Sequence, residues 1–395
     1  AVNNLLIDPS CESESDRWVP YTGVNGGGSK SFATGTAYLG QKMMRLSTQN
    51  GGNESGNIGY TQNVEVEPNT YYTLSAYIKG VKVLDGSADS YSASCAKLIV
   101  SAYNGTSFLE TKYSDAGTAN TDSNGWQRLI LTFQTPANAD NISVGSYMKG
   151  YYAMVYFDCF QLEEGQSANA YTMLQNADFA WGPHGYRKAS DDNAMPTGWT
   201  AVNCDPSGSD GRTEGSGLTT TYGFSVSGDR TKLKQIYQEV MINKPAKDLA
   251  FSATCKAQGW SLPNLLIPRT FGFRLRFYLK DENNQQAVEL SDFISFNTDT
   301  ESLQTMTKAV RVSKANEDKT LVKVEFILEY GNNANHATFY LPQLRMDLTG
   351  TNYTYDNEGN LISATDNAGR NAAYDYSTTT QNLTKLTDPE GDETE

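Results

Sequence analysis

Two histidines, His184 and His336, are all that the 395 residues offer for imidazole chemistry. A serine or cysteine triad needs a histidine with a positioned partner. His184 stands in Trp-Gly-Pro-His-Gly and His336 in an Asn-rich stretch, with no Gly-x-Ser-x-Gly beside either. Both read as ordinary loop or turn residues. No HExxH, P-loop or dinucleotide fingerprint occurs. Among the 45 Asp and Glu, the doublet Glu163-Glu164 is the most suggestive acid–base pair. The five cysteines form no CxxC and no zinc spacing with histidine, so they read as small buried hydrophobes. An odd, sparse count also opposes a disulfide framework. No catalytic residue is assigned.

Binding chemistry has more candidates. Sugar rings stack on aromatic planes, and their hydroxyls bond amides and carboxylates. Tyr77 sits on the polar face of an alternating run, with Trp126, Tyr103, Trp18 and Tyr21 as its companions. For Trp18 and Trp126 the competing role is packing. Arg274, Arg276 and Tyr278 share another polar face. Two arginines suit a uronic or teichoic acid, or else pair with neighbouring carboxylates of an acidic chain.

The net charge is −14, which repels nucleic acid phosphates and opposes DNA or RNA as partner. No apolar run of about 18 residues is present, so no membrane insertion is expected. No signal peptide is visible, and the chain reads as a fragment whose export signal lies elsewhere. With 34 glycines, 24 tyrosines and 19% charged residues, the composition suits short strands joined by turns.

The elements that carry these residues repeat. Leu5-Leu6-Ile7-Asp8-Pro9-Ser10-Cys11-Glu12, then Trp18, is matched by Met173-Leu174-Gln175-Asn176-Ala177-Asp178-Phe179-Ala180, then Trp199. The run 72–79 is matched by 249–256, and Phe157–Leu162 by Phe339–Leu344. Three landmarks in the same order indicate one module twice, at 1–170 and 171–349. Tyr72, Leu74, Ala76 and Ile78 alternate with Thr73, Ser75, Tyr77 and Lys79. Phe271, Phe273, Leu275, Phe277 and Leu279 alternate with Arg274, Arg276, Tyr278 and Lys280 in the second copy. Strict alternation gives one buried and one wet face, as in an antiparallel sandwich. The fold class is therefore all-β: two tandem β-sandwich (jelly-roll) domains, with Trp181 placed to plug their interface.

The opening Leu-Leu-x-x-Pro-Ser, the Tyr-x-Leu-Ser-Ala-Tyr-x-Lys-Gly strand, Gly125-Trp126-Gln127-Arg128 and the closing Phe-Asp-x-x-Gln-Leu-Glu resemble jelly-roll carbohydrate-binding modules of the family 4 and 9 type. The second copy lacks the strand tryptophan around Thr305–Lys308. The resemblance implies a structural Ca²⁺ in the first module, held by Glu12 and Asp158 together with backbone carbonyls. Ala180 and Tyr340 replace both ligands in the second copy, which implies no ion there. It also places Glu163-Glu164 in a solvated linker turn.

After Gly350 the pattern changes. Leu361, Asp366 and Gly369 recur as Leu383, Asp388 and Gly391, 22 residues on. This stretch, 350–395, resembles the tyrosine–aspartate repeats of Rhs-type and bacterial wall-associated proteins. Asp-x-x-Gly gives tight turns and Leu-rich stretches give short strands. One hairpin cannot bury its own face. A loose hairpin, a strand borrowed by a neighbour, or disorder is therefore expected from about 351, with fraying at Glu390–Glu395.

These features together predict a non-catalytic region that attaches a large extracellular or cell-surface protein to polysaccharide or cell-wall glycan. Its other partner would be the remainder of the repeat chain. The rival reading is a structural spacer or assembly platform without a ligand, and a glycan-cleaving enzyme stands third.

Overall fold

A computed structural model describes all residues except 1–2, 24–27, 49–56, 83–95, 118–124, 150–152, 184, 187–194, 207, 215–221, 261–268, 332–334, 349–351, 366–370 and 389–390. His184, Cys95 and Asp366 therefore lie outside the described residues. Among the described residues the only helical element is a 3₁₀ turn, Ala246–Asp248.

The first sandwich runs β1 (Val19–Thr22), β2 (Ser29–Thr34), β3 (Lys42–Thr48), β4 (Ile58–Glu65), β5 (Tyr71–Lys82), β6 (Ala96–Asn104), β7 (Ser107–Tyr113), β8 (Gln127–Gln134), β9 (Asn141–Met148) and β10 (Ala153–Glu164). Its sheets are β1-β4-β9-β6-β7 and β2-β3-β10-β5-β8. A two-strand ribbon, β11 (Trp181–Gly182) and β12 (Gly185–Tyr186), follows. The second sandwich runs β13 (Thr200–Val202), β14 (Gly211–Glu214), β15 (Tyr222–Ser227), β16 (Leu233–Pro245), β17 (Leu249–Trp260), β18 (Thr270–Lys280), β19 (Gln286–Leu290), β20 (Ile294–Ser295), β21 (Gln304–Val310), β22 (Thr320–Gly331) and β23 (His336–Leu348). Its sheets are β13-β16-β22-β18-β19, with β20 on β18, and β14-β15-β23-β17-β21. All pairings are antiparallel, as period-two burial requires.

The internal repeat extends to single hydrogen bonds. Leu5 N–H donates to the Leu162 carbonyl and Met173 N–H to that of Leu344, each at 2.9 Å. Gln62 clamps Ile7 through both its backbone groups, and Gln238 clamps Gln175 likewise. Trp18 Nε1 donates to the Asp8 carbonyl at 2.8 Å, and Trp199 Nε1 to Asn176 at 3.0 Å. Cys159 and Leu341 both take a left-handed backbone (φ 51 and 44) at a matching bulge in the closing strand. Register corrects one sequence match. Leu162 pairs with Leu74, whereas Leu344 pairs with Ala253, so the second-copy run lies two residues further along than the aligned letters suggest. An even offset keeps each side chain on its face, which is why alternation alone does not reveal it.

The two sandwiches share one connected apolar core. Trp181 is buried at their junction, donating to the Leu5 carbonyl at 3.0 Å beneath the Arg17 guanidinium. Asp8 N–H donates to Gln175 Oε1 at 2.7 Å. A bulge between Met241 and Lys244, with Asn243 at φ 54, releases the Ile242 carbonyl from its ladder, and Gly40 N–H bonds it at 3.0 Å. Residues 165–172 cross the outer face of β5 and β10. The Gly165 carbonyl accepts Thr73 Oγ1, and the Asn169 carbonyl accepts Arg128. Thr73 and Ser75, expected on a wet face, are therefore buried. Glu163 is also buried rather than solvated: it accepts from Gln161 Nε2 at 2.7 Å and from Asn169. Glu164 stays exposed.

The tail departs from expectation. β24 (Asn352–Tyr355), β25 (Leu361–Thr365), β26 (Asn371–Tyr376), β27 (Leu383–Thr387) and β28 (Glu393–Thr394) form a five-stranded meander. Its order comes from its turns. Gly359 and Gly391, at φ 87 and 93, close Asp-x-x-Gly loops onto the Asp356 and Asp388 carbonyls. The Asp356 and Asp388 carboxylates cap the following amides. Tyr355 and Leu383 remain exposed, so the sheet still lacks the neighbour that would cover it.

Candidate functional site

The outer face of the β2-β3-β10-β5-β8 sheet gathers two of the five first-module aromatic candidates, Tyr77 and Trp126. Tyr77 on β5 pairs in register with Arg128 on β8, and Arg45, Tyr156 and Lys79 form the next row across β3, β10 and β5. Trp126 enters β8 beside Lys79, whose ammonium lies 6.0 Å from the indole centroid. Tyr38, from the loop before β3, stacks on Tyr77 at 3.7 Å and meets Trp126 edge-on at 5.9 Å. Arg128 lies over Tyr77 at 5.7 Å. Lys244, supplied by the second sandwich, lies over Tyr38 at 5.9 Å. Burial and a bond to Tyr77 push the Tyr38 hydroxyl well above its usual range, so it stays protonated.

Tyr77 therefore presents an edge, since Tyr38 takes one ring face. Trp126 is half-buried. Trp18 does not belong to the face. It is 2% exposed, packs on Phe160 at 4.7 Å and holds the opening turn, so its assignment as a ligand residue is corrected. Tyr21 bonds the Ser146 carbonyl, and Tyr103 packs edge-on against Phe108, both on the opposite sheet.

The arginines of β18 are corrected too. Arg274 pairs with buried Glu329 at 3.1 Å and Arg276 with buried Glu325 at 3.2 Å. Tyr278 lies under the Lys323 ammonium at 4.5 Å and bonds within the Arg276–Glu325 group, which raises its hydroxyl after burial itself. The carboxylates of an acidic chain have claimed these cations, leaving no free pair for an acid. The face matching the first-module platform has lost its rings. Register puts Lys256 at the place of Tyr77, Leu303 at Trp126, Thr305 at Arg128 and Ser225 at Arg45.

Sequence reasoning missed Tyr38, Arg45, Lys79, Arg128 and Lys244 as a group. Lys79 and Arg128 stood in the quoted motifs, and their positions on the Tyr77 face were a usable signal. Tyr38 lies in a loop, and Lys244 comes from another domain, so no periodicity connects either to the rest.

Glu12 and Asp158 come together at the module junction. Asp158 is wholly buried at the closing bulge and accepts from Leu39 N–H at 3.1 Å and Cys159 N–H at 2.8 Å. Glu12 Oε1 accepts from the Gln41 and Lys42 amides, both at 2.9 Å. Burial raises both carboxyls above their usual range, and the negative charge of Glu12 raises Asp158 further. The same burial and charge push up the Cys11 and Cys159 thiols. Hard oxygen donors with excess negative charge suit a hard cation, and Asp158 Oδ1 and Oδ2 each keep a second lone pair, whereas Glu12 Oε1 already accepts twice. Among the described residues no three or more His, Cys, Asp or Glu form a metal cage, so further ligands must come from backbone or water. The second module answers with a side chain. Arg212 is wholly buried, donates to the Ala180 carbonyl at 2.9 Å and lies over Tyr222 at 4.9 Å.

Among the described residues the remaining histidine bonds none of the cysteines. His336 is exposed and contacts Asn335; Cys11, Cys159, Cys204 and Cys255 are unpaired thiols. Among the described residues no helix is long and apolar enough to cross a membrane.

Among known proteins, the chain is 31% identical over 188 residues to the tRNA nuclease WapA of Bacillus subtilis (strain 168), and 30% identical over 188 residues to the tRNA3(Ser)-specific nuclease WapA of Bacillus spizizenii. Those alignments take in 45% of this chain and span 8% of either relative. Solved structures with a similar course include the CBM22-1–CBM22-2 tandem of Paenibacillus barcinonensis Xyn10C. It is 14% identical, covering 88% of this chain and 98% of that one, at a TM-score of 0.30. A family 16 carbohydrate-binding module is 23% identical over 40% of this chain and 99% of its own, at a TM-score of 0.29. The fold described above rests on the sheets themselves. Residues 353–393 match the family model described as RHS Repeat, and this segment, with its 22-residue recurrence, is an RHS repeat.

Proposed function

We propose that this chain is a non-catalytic glycan-attachment region of a larger secreted or cell-surface repeat protein, and that the first module makes the contact. The carrying observation is the clustering of Tyr38, Tyr77 and Trp126 beside four cations on one outer sheet face. Aromatic rims with hydrogen-bond donors around them suit a sugar chain lying across the strands. Weak single contacts would be raised by multivalency in a repeat protein. The nuclease activity named for the relatives is not carried over to these residues, because no acid–base or metal constellation for it is formed by the described ones.

The test is affinity electrophoresis of the intact chain through gels holding soluble polysaccharides. Trp126→Ala is expected to weaken retardation about tenfold, the worth of roughly 1.4 kcal/mol. Tyr77→Ala should do the same. A chain that no polysaccharide retards sinks the reading. The spacer alternative then takes its place, and it already fits the second module, where Lys256 and Leu303 stand at the places of Tyr77 and Trp126.

The same proposal includes a structural Ca²⁺ at Glu12 and Asp158. An ion there would neutralise the buried carboxylates and tie the opening turn to the closing strand. Without it, both carboxyls hold protons more tightly folded than unfolded, so stability falls as pH rises through their raised folded values. Ca²⁺ at a hundred times its Kd is expected to restore about 2.7 kcal/mol at neutral pH and little at pH 4. Asp158→Asn should abolish the ion response and remove the Asp158 share of this pH slope, leaving that of Glu12. Melting curves with calcium and with EDTA decide it; superimposable curves remove the ion.

A further inference from the structure

The platform on the first module gathers cations from both sandwiches. Arg45, Lys79, Arg128 and Lys244 converge on it, and among the described residues none of them pairs with a carboxylate. Among the described residues Lys42, Lys112, Lys234, Arg269, Arg274, Arg276, Lys323 and Lys385 each hold a carboxylate. Cations without a carboxylate elsewhere stand singly, as Lys97 does over Tyr113 and Lys30 at Thr22 Oγ1, whereas four meet on this face. Three of the platform cations rest on rings or on neutral oxygens, and Lys244 also feels the charge of Asp158 without bonding it. Lys79 lies over Trp126, Lys244 over Tyr38, and Arg128 donates to Ser75 Oγ and the Asn169 carbonyl. Arg45 Nε and Arg128 Nε are buried without a hydrogen-bond acceptor, as is Arg274 Nε in the second module, where Glu329 already meets the guanidinium. A guanidinium nitrogen left so is costly unless a ligand oxygen completes it.

The rings themselves are poor stacking surfaces. Tyr38 and Tyr77 cover each other, and the remaining aromatic edges carry partial positive charge. Edges and cations favour the same kind of ligand group. Resting on the glycan reading of this face, we propose that the first module selects anionic polysaccharides. Arg45, Lys79, Arg128 and Lys244 would bind their carboxylate or phosphodiester oxygens, and Lys244 makes the docked second module part of the site. The net charge of −14 opposes the approach of any polyanion, and at physiological ionic strength the contacts on the face must outweigh it. Screening over about 8 Å confines the repulsion of distant carboxylates, while groups in contact act at full strength.

The experiment uses the intact chain and paired probes. Polygalacturonate and its fully methyl-esterified form share a backbone and differ in charge. Poly(glycerol phosphate) presents the phosphodiester, and tRNA serves as a nucleic acid probe. Polygalacturonate or poly(glycerol phosphate) is expected to bind at least about tenfold more tightly than the ester, and to weaken between 0.15 and 0.5 M NaCl. Whichever of the two is preferred names the anion. Lys79→Gln and Arg45→Gln should each cost about tenfold with the anionic polymer and nothing with the ester. Lys112→Gln, on the other sheet, should change neither, and melting curves check that each variant folds. The salt response of the unmodified chain keeps the test independent of any variant. Equal binding of ester and acid overturns the anionic assignment and leaves the glycan reading standing. Tighter binding of tRNA than of either glycan overturns it in favour of nucleic acid. No binding of any polymer overturns both.

Discussion

Replacing Lys234 with methionine is expected to cost about 3–5 kcal/mol of stability, the usual penalty for stranding a buried charge. Asp210 is wholly buried, and the Lys234 ammonium reaches its Oδ2 at 2.7 Å. The other acceptor positions are filled by Asp205 N–H, Ser227 N–H and Ser227 Oγ. Methionine keeps the stem and removes only the charge, so the loss reports the stranded carboxylate. Lys234→Met with Asp210→Asn should recover much of it, because no buried charge remains. Burial alone would push the Asp210 carboxyl up, yet Lys234 and the amides of Asp205 and Ser227 bring it net below its ordinary value. A lowered folded value stabilises above the ordinary carboxylate range and loses that contribution as pH falls through the lowered value. Asp210→Asn should remove this part of the acid-induced loss. Urea unfolding at pH 7 and pH 3 measures both effects, and a loss under about 1 kcal/mol for Lys234→Met would contradict the account.

Arg212→Met is the second large effect, with an expected loss of about 2–4 kcal/mol. The Ala180 carbonyl, in the buried opening turn, would lose a guanidinium donor, and Tyr222 its cation. Lysine should rescue only part, because a compact ammonium cannot both reach the carbonyl and lie flat over the ring. Calcium should not rescue the variant, since Ala180 and Tyr340 offer no carboxylate. Melting of Arg212→Met with and without calcium separates the outcomes, and full recovery by calcium would show that the second module keeps an ion site after all.

The legible part of the fold follows from period. Burial alternates along β18 at the residues where apolar letters alternate, so the sandwich class was readable from the chain. The landmark pair Trp18 and Trp199 marked a true equivalence, and its meaning was structural. A tryptophan after a tight turn has an N–H to place, and the nearest buried acceptor is the carbonyl of that turn. What stayed hidden depends on contacts across long separations. Nothing local tells that residues 165–172 fold back over Thr73 and Ser75 and make a polar face dry. Nothing near Arg274 says that Glu329 waits opposite on the adjacent strand. The binding face was half legible for the same reason: Tyr77 and Trp126 lie on strands whose phase can be read, whereas Tyr38 and Lys244 arrive from a loop and from the other sandwich.

The Ile242–Asn243 bulge has a mechanical consequence. By offering its freed carbonyl to Gly40, it fastens the second sandwich to the loop that also grips Glu12 and Asp158. Residues 165–172 are fastened along their length as well, so the connection holds no slack to pay out. Tension applied through the RHS segment would load these hydrogen bonds together, in parallel, instead of extending a tether. The pair of sandwiches would then behave as a stiff strut, delivering torque as well as pull to whatever the first one grips.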